Sequence, residues 1–146
     1  MNYFLQEVER IKGIVYANQV QLDLAVNTKQ YIDANYGLEL NLDLLAHVQL
    51  TSKYHLVRVF KKHYGVTPRQ YLIHKRIGQA KILLQAGKSV PDTCYEVGFE
   101  SIYSFSNLFK SKTGHSPSAF KRATFDKSES TISPILQHHT FKRKLS

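Results

Sequence analysis

A single cysteine in 146 residues, Cys94, excludes an internal disulfide and any metal site built on cysteines. Apolar runs are short: none approaches the ~18–20 residues of a membrane span. The first residues, MNYFLQEVERIKG, carry Glu7 and Glu9 and lack the unbroken apolar stretch of a secretory signal. A soluble, cytoplasmic protein is the reading that fits. No phosphate-binding loop, nucleophile elbow or paired acid–base constellation occurs, so neither an enzyme nor a cofactor is expected. Histidine is more plentiful, yet His55 and His63 stand eight apart without a third ligand, and no metal is expected. Cys94 reads as a small buried hydrophobe, with Asp92 and Glu96 close enough in sequence to oppose a reactive thiolate.

Acid is also missing, and where it is missing matters. From Leu44 to Pro91 there is no Asp or Glu, against nine basic residues: Lys53, Arg58, Lys61, Lys62, Arg69, Lys75, Arg76, Lys81 and Lys88. From Ser101 to Phe125 acid is absent again, with Lys110, Lys112, Lys121 and Arg122 present. The net charge of +9 is therefore concentrated in two segments. A run of charge is usually a solvated face; two acid-free basic runs favour a polyanionic partner.

Those two runs coincide with an internal repeat. Residues 52–71, SKYHLVRVFKKHYGVTPRQY, echo residues 101–120, SIYSFSNLFKSKTGHSPSAF, at an offset of 49. Tyr54 falls on Tyr103, Phe60 on Phe109, Lys61 on Lys110, Gly65 on Gly114 and Pro68 on Pro117. The same offset places Asp43 over Asp92 and Val48 over Val97 upstream. Leu56, Val59 and Phe60 recur as Phe105, Leu108 and Phe109, a spacing that buries one helical face. Two copies are too few for a solenoid, so the repeat reads as a duplicated supersecondary unit.

The predicted fold is all-α, with two helix-turn-helix subdomains joined by a long linker helix and about seven helices, preceded by an N-terminal helical segment. Residues 1–20 form that segment or a linker remnant, carrying Phe4, Val8, Ile11 and Val15, with Gly13 as a weak point. Residues 21–67 form the first subdomain. Its opening helix spans about Leu22–Asn35, with Val26, Ile32 and Tyr36 inward and Gly37 as the stop. Asn41 caps a short helix, Leu42–Val48. After a turn at Gln49-Leu50, a helix capped by Thr51 or Ser52 runs to Gly65. Thr67, Pro68 and Gln70 open the linker helix, 68–87, which presents Ile73, Ile77, Ala80 and Leu84 and stops at Gly87. Residues 88–125 form the second subdomain, with caps at Ser89 and Ser101, a turn at Gly98 and a closing helix from Ser116-Pro117 to about Ala123. A flexible basic tail, 126–146, ends in Lys142, Arg143 and Lys144.

Burying the apolar trio turns Ser52, Tyr54, His55, Arg58, Lys61 and Lys62 outward on one helix. On the other it exposes Ile102, Tyr103, Ser106, Asn107 and Lys110. Arginine pairs with guanine O6 and N7, and asparagine with adenine N6 and N7, each through two hydrogen bonds. Tyrosine and isoleucine suit thymine methyls, and flanking lysines suit phosphate. Expected base contacts are Ser52, Tyr54, His55, Val57, Arg58, Ile102, Tyr103, Ser106 and Asn107; expected phosphate contacts are Thr51, Lys53, Lys61, Lys62, Ser101, Lys110, Lys121 and Arg122. Polar variety outside a constant apolar inside indicates one frame used twice to read two sequences.

From about Thr28 to Thr124 the chain resembles the DNA-binding domain of the AraC/XylS family of bacterial transcription regulators. The matching stretches are SKYHLVRVFKKHYGVTPRQYL, RIGQAKILL and CYEVGFESIYSFSNLFKSKTGHSPSAFKR. The resemblance implies two helix-turn-helix units entering consecutive major grooves, with bases read from Tyr54, Val57 and Arg58 and from Ile102, Tyr103 and Asn107. It implies an activator of the short stand-alone type. Partners so implied are double-stranded DNA, bound as a monomer and in the nucleoid, and RNA polymerase, with no membrane. Two departures stand out. Leu50 or Gln49 must take a left-handed turn at a cost of ~1–2 kcal/mol, and Val57 is apolar where the family often has a polar side chain. The first unit should therefore read mainly through Arg58 and Tyr54. Two other functions fit the charge alone: a module docking acidic protein partners, and a nonspecific nucleic-acid binder.

Overall fold

The computed structural model describes residues 2–129. The described chain is helical throughout, in the order α1 (Tyr3–Asn35), α2 (Leu42–Val48), α3 (Lys53–Tyr64), α4 (Pro68–Gln85), α5 (Val90–Glu96) and α6 (Ile102–Thr113). A seventh, α7, covers residues 117–129. No helix among the described residues is long and apolar enough to cross a membrane. The chain divides into two compact units, up to Lys75 and from Arg76 onward, so the boundary falls inside α4.

In the first unit, the N-terminal segment and the helix expected from Leu22 are one continuous helix of 33 residues, about 50 Å long. Gly13 does not break it: a single interior glycine costs ~1 kcal/mol relative to alanine, and no proline follows before Asn35. Asn2 caps the start, its side-chain oxygen accepting from the Phe4 amide. The buried positions of α1 are Ala25, Thr28 and Ile32, whereas Val26 and Tyr36 are only half-buried. Small Ala25 and Thr28 allow close approach, and the Thr28 hydroxyl stays satisfied by donating to the Leu24 carbonyl at 2.7 Å. Gly37 does not adopt the left-handed stop expected of it; α1 ends with Tyr36 still in the right-handed region. Ile32 packs with Leu45, Ala46, Leu56 and Leu72, and Leu24, Tyr31, Tyr36 and Tyr71 close around them. Phe60 adds ring contacts to Tyr64 and Tyr71.

The caps explain where the helices begin and end. Asn41, Ser52, Ser89 and Ser101 each accept a backbone amide at the start of a helix. Thr67 and Gln70 form a reciprocal capping box, each side chain accepting the other's amide at 3.2 and 2.9 Å. Left-handed Gly65 and Gly114 end α3 and α6 in the same way, each amide donating to a carbonyl four residues back, Lys61 or Lys110, at 2.8 Å.

The two helix-turn-helix turns match in kind but not in register. In the first, Leu50 takes the left-handed conformation at φ 54°. Its amide donates to His47, and the Thr51 amide to Ala46. In the second, Gly98 at φ 99° plays the same part, donating to Tyr95, while Phe99 donates to Cys94. Both are Schellman closures. Leu50 and Gly98 are thus equivalent, as are the caps Asn41 and Ser89, each pair 48 apart, whereas Ser52 and Ser101 are 49 apart. The second turn holds one extra residue, Glu100. The constant offset read from the sequence is therefore one residue out across α2 and α5, because Asp43 and Asp92 match by identity while the caps set the true register.

In the second unit, Ile77, Ala80 and Leu84 of α4 are buried, with Thr93, Cys94, Val97 and Phe99. A file of rings, Phe99, Phe105, Phe109 and Phe120, runs through it with centroids 5.3–5.7 Å apart. Leu108, expected inward, is half-buried. The closing helix continues past Ala123, so residues 126–129 of the expected tail are helical. Residues 130–146, including Lys142, Arg143 and Lys144, lie outside the described residues.

Candidate nucleic-acid interface

In each unit the second helix of the repeat turns a polar face to solvent. On α3, Leu56, Val59 and Phe60 are at most 1% exposed, which fixes the rotation of the helix. Tyr54 is consequently 88% exposed, and Arg58, Lys61 and Lys62 are exposed with it. His55 is half-buried, and its Nδ1 lies 3.0 Å from Arg58 Nη2, a contact that steadies the guanidinium on the outward face. Val57 is half-buried beside them. No acid lies on α3, and the last turn carries Lys61, Lys62 and His63, which favours the helix dipole as well as any anion.

Several expected contacts have partners already. Lys53 is paired with Asp43 at 2.9 Å, and the hydrogen bond and charge of Asp43 raise its pKa. Lys62 donates to Gln21 of α1 at 3.4 Å. The Ser52 hydroxyl accepts from the His55 amide, as the Ser101 hydroxyl does from Ser104. Ser52, expected to read a base, is therefore engaged as a cap, in the same role as Ser101. Thr51 is half-buried in the turn.

On α6 the buried pair Phe105 and Phe109 sets the outward face. Tyr103 is 78% exposed, Ile102 is at the edge of exposure, Asn107 and Lys110 are open, and Ser106 is half-buried. On α7, Arg122 is exposed and Lys121 half-buried. Arg58 and Asn107 occupy the same position of their helices, six residues after their N-cap serines. The two units therefore offer different hydrogen-bonding groups from one frame.

The sequence reading overlooked the Arg58–His55 contact, whose i, i+3 spacing was the available signal. The Lys53–Asp43 pair joins α3 to α2 and had no local signal. Burial pushes the Cys94 thiol up and leaves it protonated, as suits a packing residue. Among the described residues, no group of three or more His, Cys, Asp and Glu is placed to hold a metal ion.

Comparison with known proteins gives a consistent set. The sequence profile of a family described as "Helix-turn-helix domain" matches residues 45–123. An uncharacterised HTH-type transcriptional regulator from Pseudoalteromonas carrageenovora is 39% identical over 108 residues, 73% of this chain and 64% of that protein. This chain thus spans less than two thirds of that relative. The HTH-type transcriptional activator AarP of Providencia stuartii is 33% identical over 104 residues, 70% of this chain and 77% of the activator. Among solved structures, a transcriptional regulator from Chromobacterium violaceum, described as containing an AraC-type DNA-binding domain, aligns with a TM-score of 0.61. It is 27% identical, over 75% of this chain and 96% of that one.

Proposed function

The chain belongs to the AraC/XylS family of helix-turn-helix transcription regulators, and from that membership we infer that it is a sequence-specific DNA-binding regulator that activates transcription. The observation that carries the reading is the duplicated frame, with exposed Arg58 and Asn107 at equivalent positions of α3 and α6. Arg58 reads guanine, supported by Tyr54 and, at the margin, Val57 and His55; Asn107 reads adenine, with Ile102, Tyr103 and Ser106 beside it. Ser52, Thr51, Ser101, Lys61, Lys62, Lys110, Lys121 and Arg122 hold phosphates, aided by the free amides at the N-termini of α3 and α6. Lys53 joins them once released from Asp43.

The two readers occupy adjacent major grooves, with half-sites about one turn (~34 Å) apart. Residues 21–67 and 88–125 are the reading subdomains and 68–87 their connection. One chain carries both readers and suffices for such a pair, and RNA polymerase is the protein partner that activation requires. The protein acts in the cytoplasm and catalyses no reaction.

Selection from random duplexes, followed by gel shift against random competitor, tests this. Two short half-sites and competitor-resistant binding are expected. Indiscriminate binding would make the protein a nonspecific nucleic-acid binder, and absence of binding would favour a module for acidic protein partners.

A further inference from the structure

The first half of α1 contributes no buried residue to its own unit, with only Glu7 and Val8 half-buried. Every residue from Glu9 to Val20 is exposed, including Ile11, Ile14, Val15, Tyr16 and Val20. Tyr3, Phe4 and Leu5 before them are more than half exposed. Tyr3, Tyr16 and Val20 face away from the others, but Phe4, Ile11, Ile14 and Val15 lie along one side, and an exposed apolar stripe on a helix marks an interaction surface.

Their spacing identifies the occupant. Phe4, Val8, Ile11, Val15, Asn18 and Leu22 follow one another at intervals of four, three, four, three and four, the seam of a coiled coil. Val8, Val15 and Leu22 fall at a positions and Phe4, Ile11 and Asn18 at d positions. Val8 and Val15 are β-branched at a, a placement that with leucine at d gives two strands; here Phe4 and Ile11 take the d positions. Gly13 falls at the outermost position, where it costs no contact across the seam.

The flanks carry complementary charge for a second copy. Glu7 is at g and Lys12 at the following e, the two positions that meet across a parallel, in-register pair. Each dimer would therefore contain two such Glu7–Lys12 pairs. An in-register arrangement also sets Asn18 against its counterpart, amide to amide, whereas a shifted one buries it against hydrocarbon. In the single chain Glu7 is held by Arg10 at 2.6 Å and Lys12 by Glu9 at 3.3 Å. Both are exposed pairs, which contribute little and re-form readily.

We propose that the first half of α1 is a dimerisation helix, joining two copies of this chain through a parallel two-stranded coiled coil along Phe4–Leu22. The seam stops there because Ala25, the next d position, is buried within its own unit. The helix is already formed and anchored at that end, so association need not order it. A dimer would hold two pairs of DNA readers, a property independent of which bases each recognises.

Sedimentation of the full chain without DNA tests the proposal. A concentration-dependent monomer–dimer equilibrium is expected. Glu7→Lys and Lys12→Glu should each weaken it by roughly tenfold, because each sets like charges opposite one another. Mixing the two variants should restore the dimer, now as a heterodimer with both pairs attractive. Val15→Asp should give a monomer whose thermal midpoint matches the parent monomer's, since the residue touches no core. A parent chain monomeric at every concentration, or a dimer indifferent to Val15→Asp, overturns the proposal. So does a monomeric parent destabilised by Val15→Asp, which would assign the face to a segment of the same chain such as residues 130–146.

Discussion

The turn between α2 and α3 places a leucine where the second unit uses glycine, and the cost is open to measurement. Leu50 is the one non-glycine residue with positive φ among those described, at 54°. It is also 92% exposed, so its side chain recovers almost none of the ~1.5–3 kcal/mol that full burial would give. Left-handed backbone costs an ordinary L-residue ~1–2 kcal/mol. Leu50→Gly removes that strain but frees the unfolded chain, at about 0.5–1 kcal/mol. The balance is a gain of about 0.5–1 kcal/mol, or roughly 2–8 °C in the melting temperature of a unit this size. Urea unfolding should show a higher midpoint at an unchanged slope. Gly98→Ala, the reverse substitution at the equivalent position, should lose about 1–2 kcal/mol. A Leu50→Gly protein less stable than its parent would refute the reasoning, showing that the leucine contributes more than its geometry costs.

Arg58→Ala should weaken binding by ~1–3 kcal/mol and relax preference at one base pair, visible as a single flattened position in a selected binding-site logo. Lys61→Ala should weaken all duplexes alike and reduce the slope of log K against log salt by about 1, measured by titration at several salt concentrations. Phe109→Ala, which empties a site fully buried among Phe105 and Phe120, should cost ~3–5 kcal/mol in denaturant unfolding. Burial raises the Asp33 pKa, but the Tyr71 hydroxyl at 2.5 Å, Lys29 at 2.9 Å and the charge of Lys75 outweigh it and leave the pKa below its ordinary value. A folded pKa below the unfolded one gives stability that is present above about pH 3.9 and lost as pH falls through the folded pKa. Asp33→Asn should therefore lower stability near neutrality and flatten its fall in acid, measured by urea midpoints across pH.

Much of the site was legible because the relevant forces act over a few residues. The trio Leu56, Val59 and Phe60 determined which way Arg58 faces, since a helix with one apolar stripe has one outward side. Ser52, Thr67, Ser89 and Ser101 announced their helices, because a cap satisfies amides only two or three positions away. The duplicated frame, its glycine stops and its basic character were likewise contained in the order of residues.

Other features depended on which elements dock. Whether Lys53 is free or paired rests on how α2 meets α3, and the Asp33–Tyr71–Lys29 cluster joins side chains from α1 and α4. The register of the repeat across its turns was decided by cap and carbonyl geometry, which admitted Glu100 without a visible break in the echo. Gly13 pointed to a weak place in α1, yet the helix passes through it and carries its apolar seam into solvent. Periodicity marks a face as apolar; only the packed structure says whether anything in the same chain covers it, because burial belongs to pairs of surfaces rather than to either one.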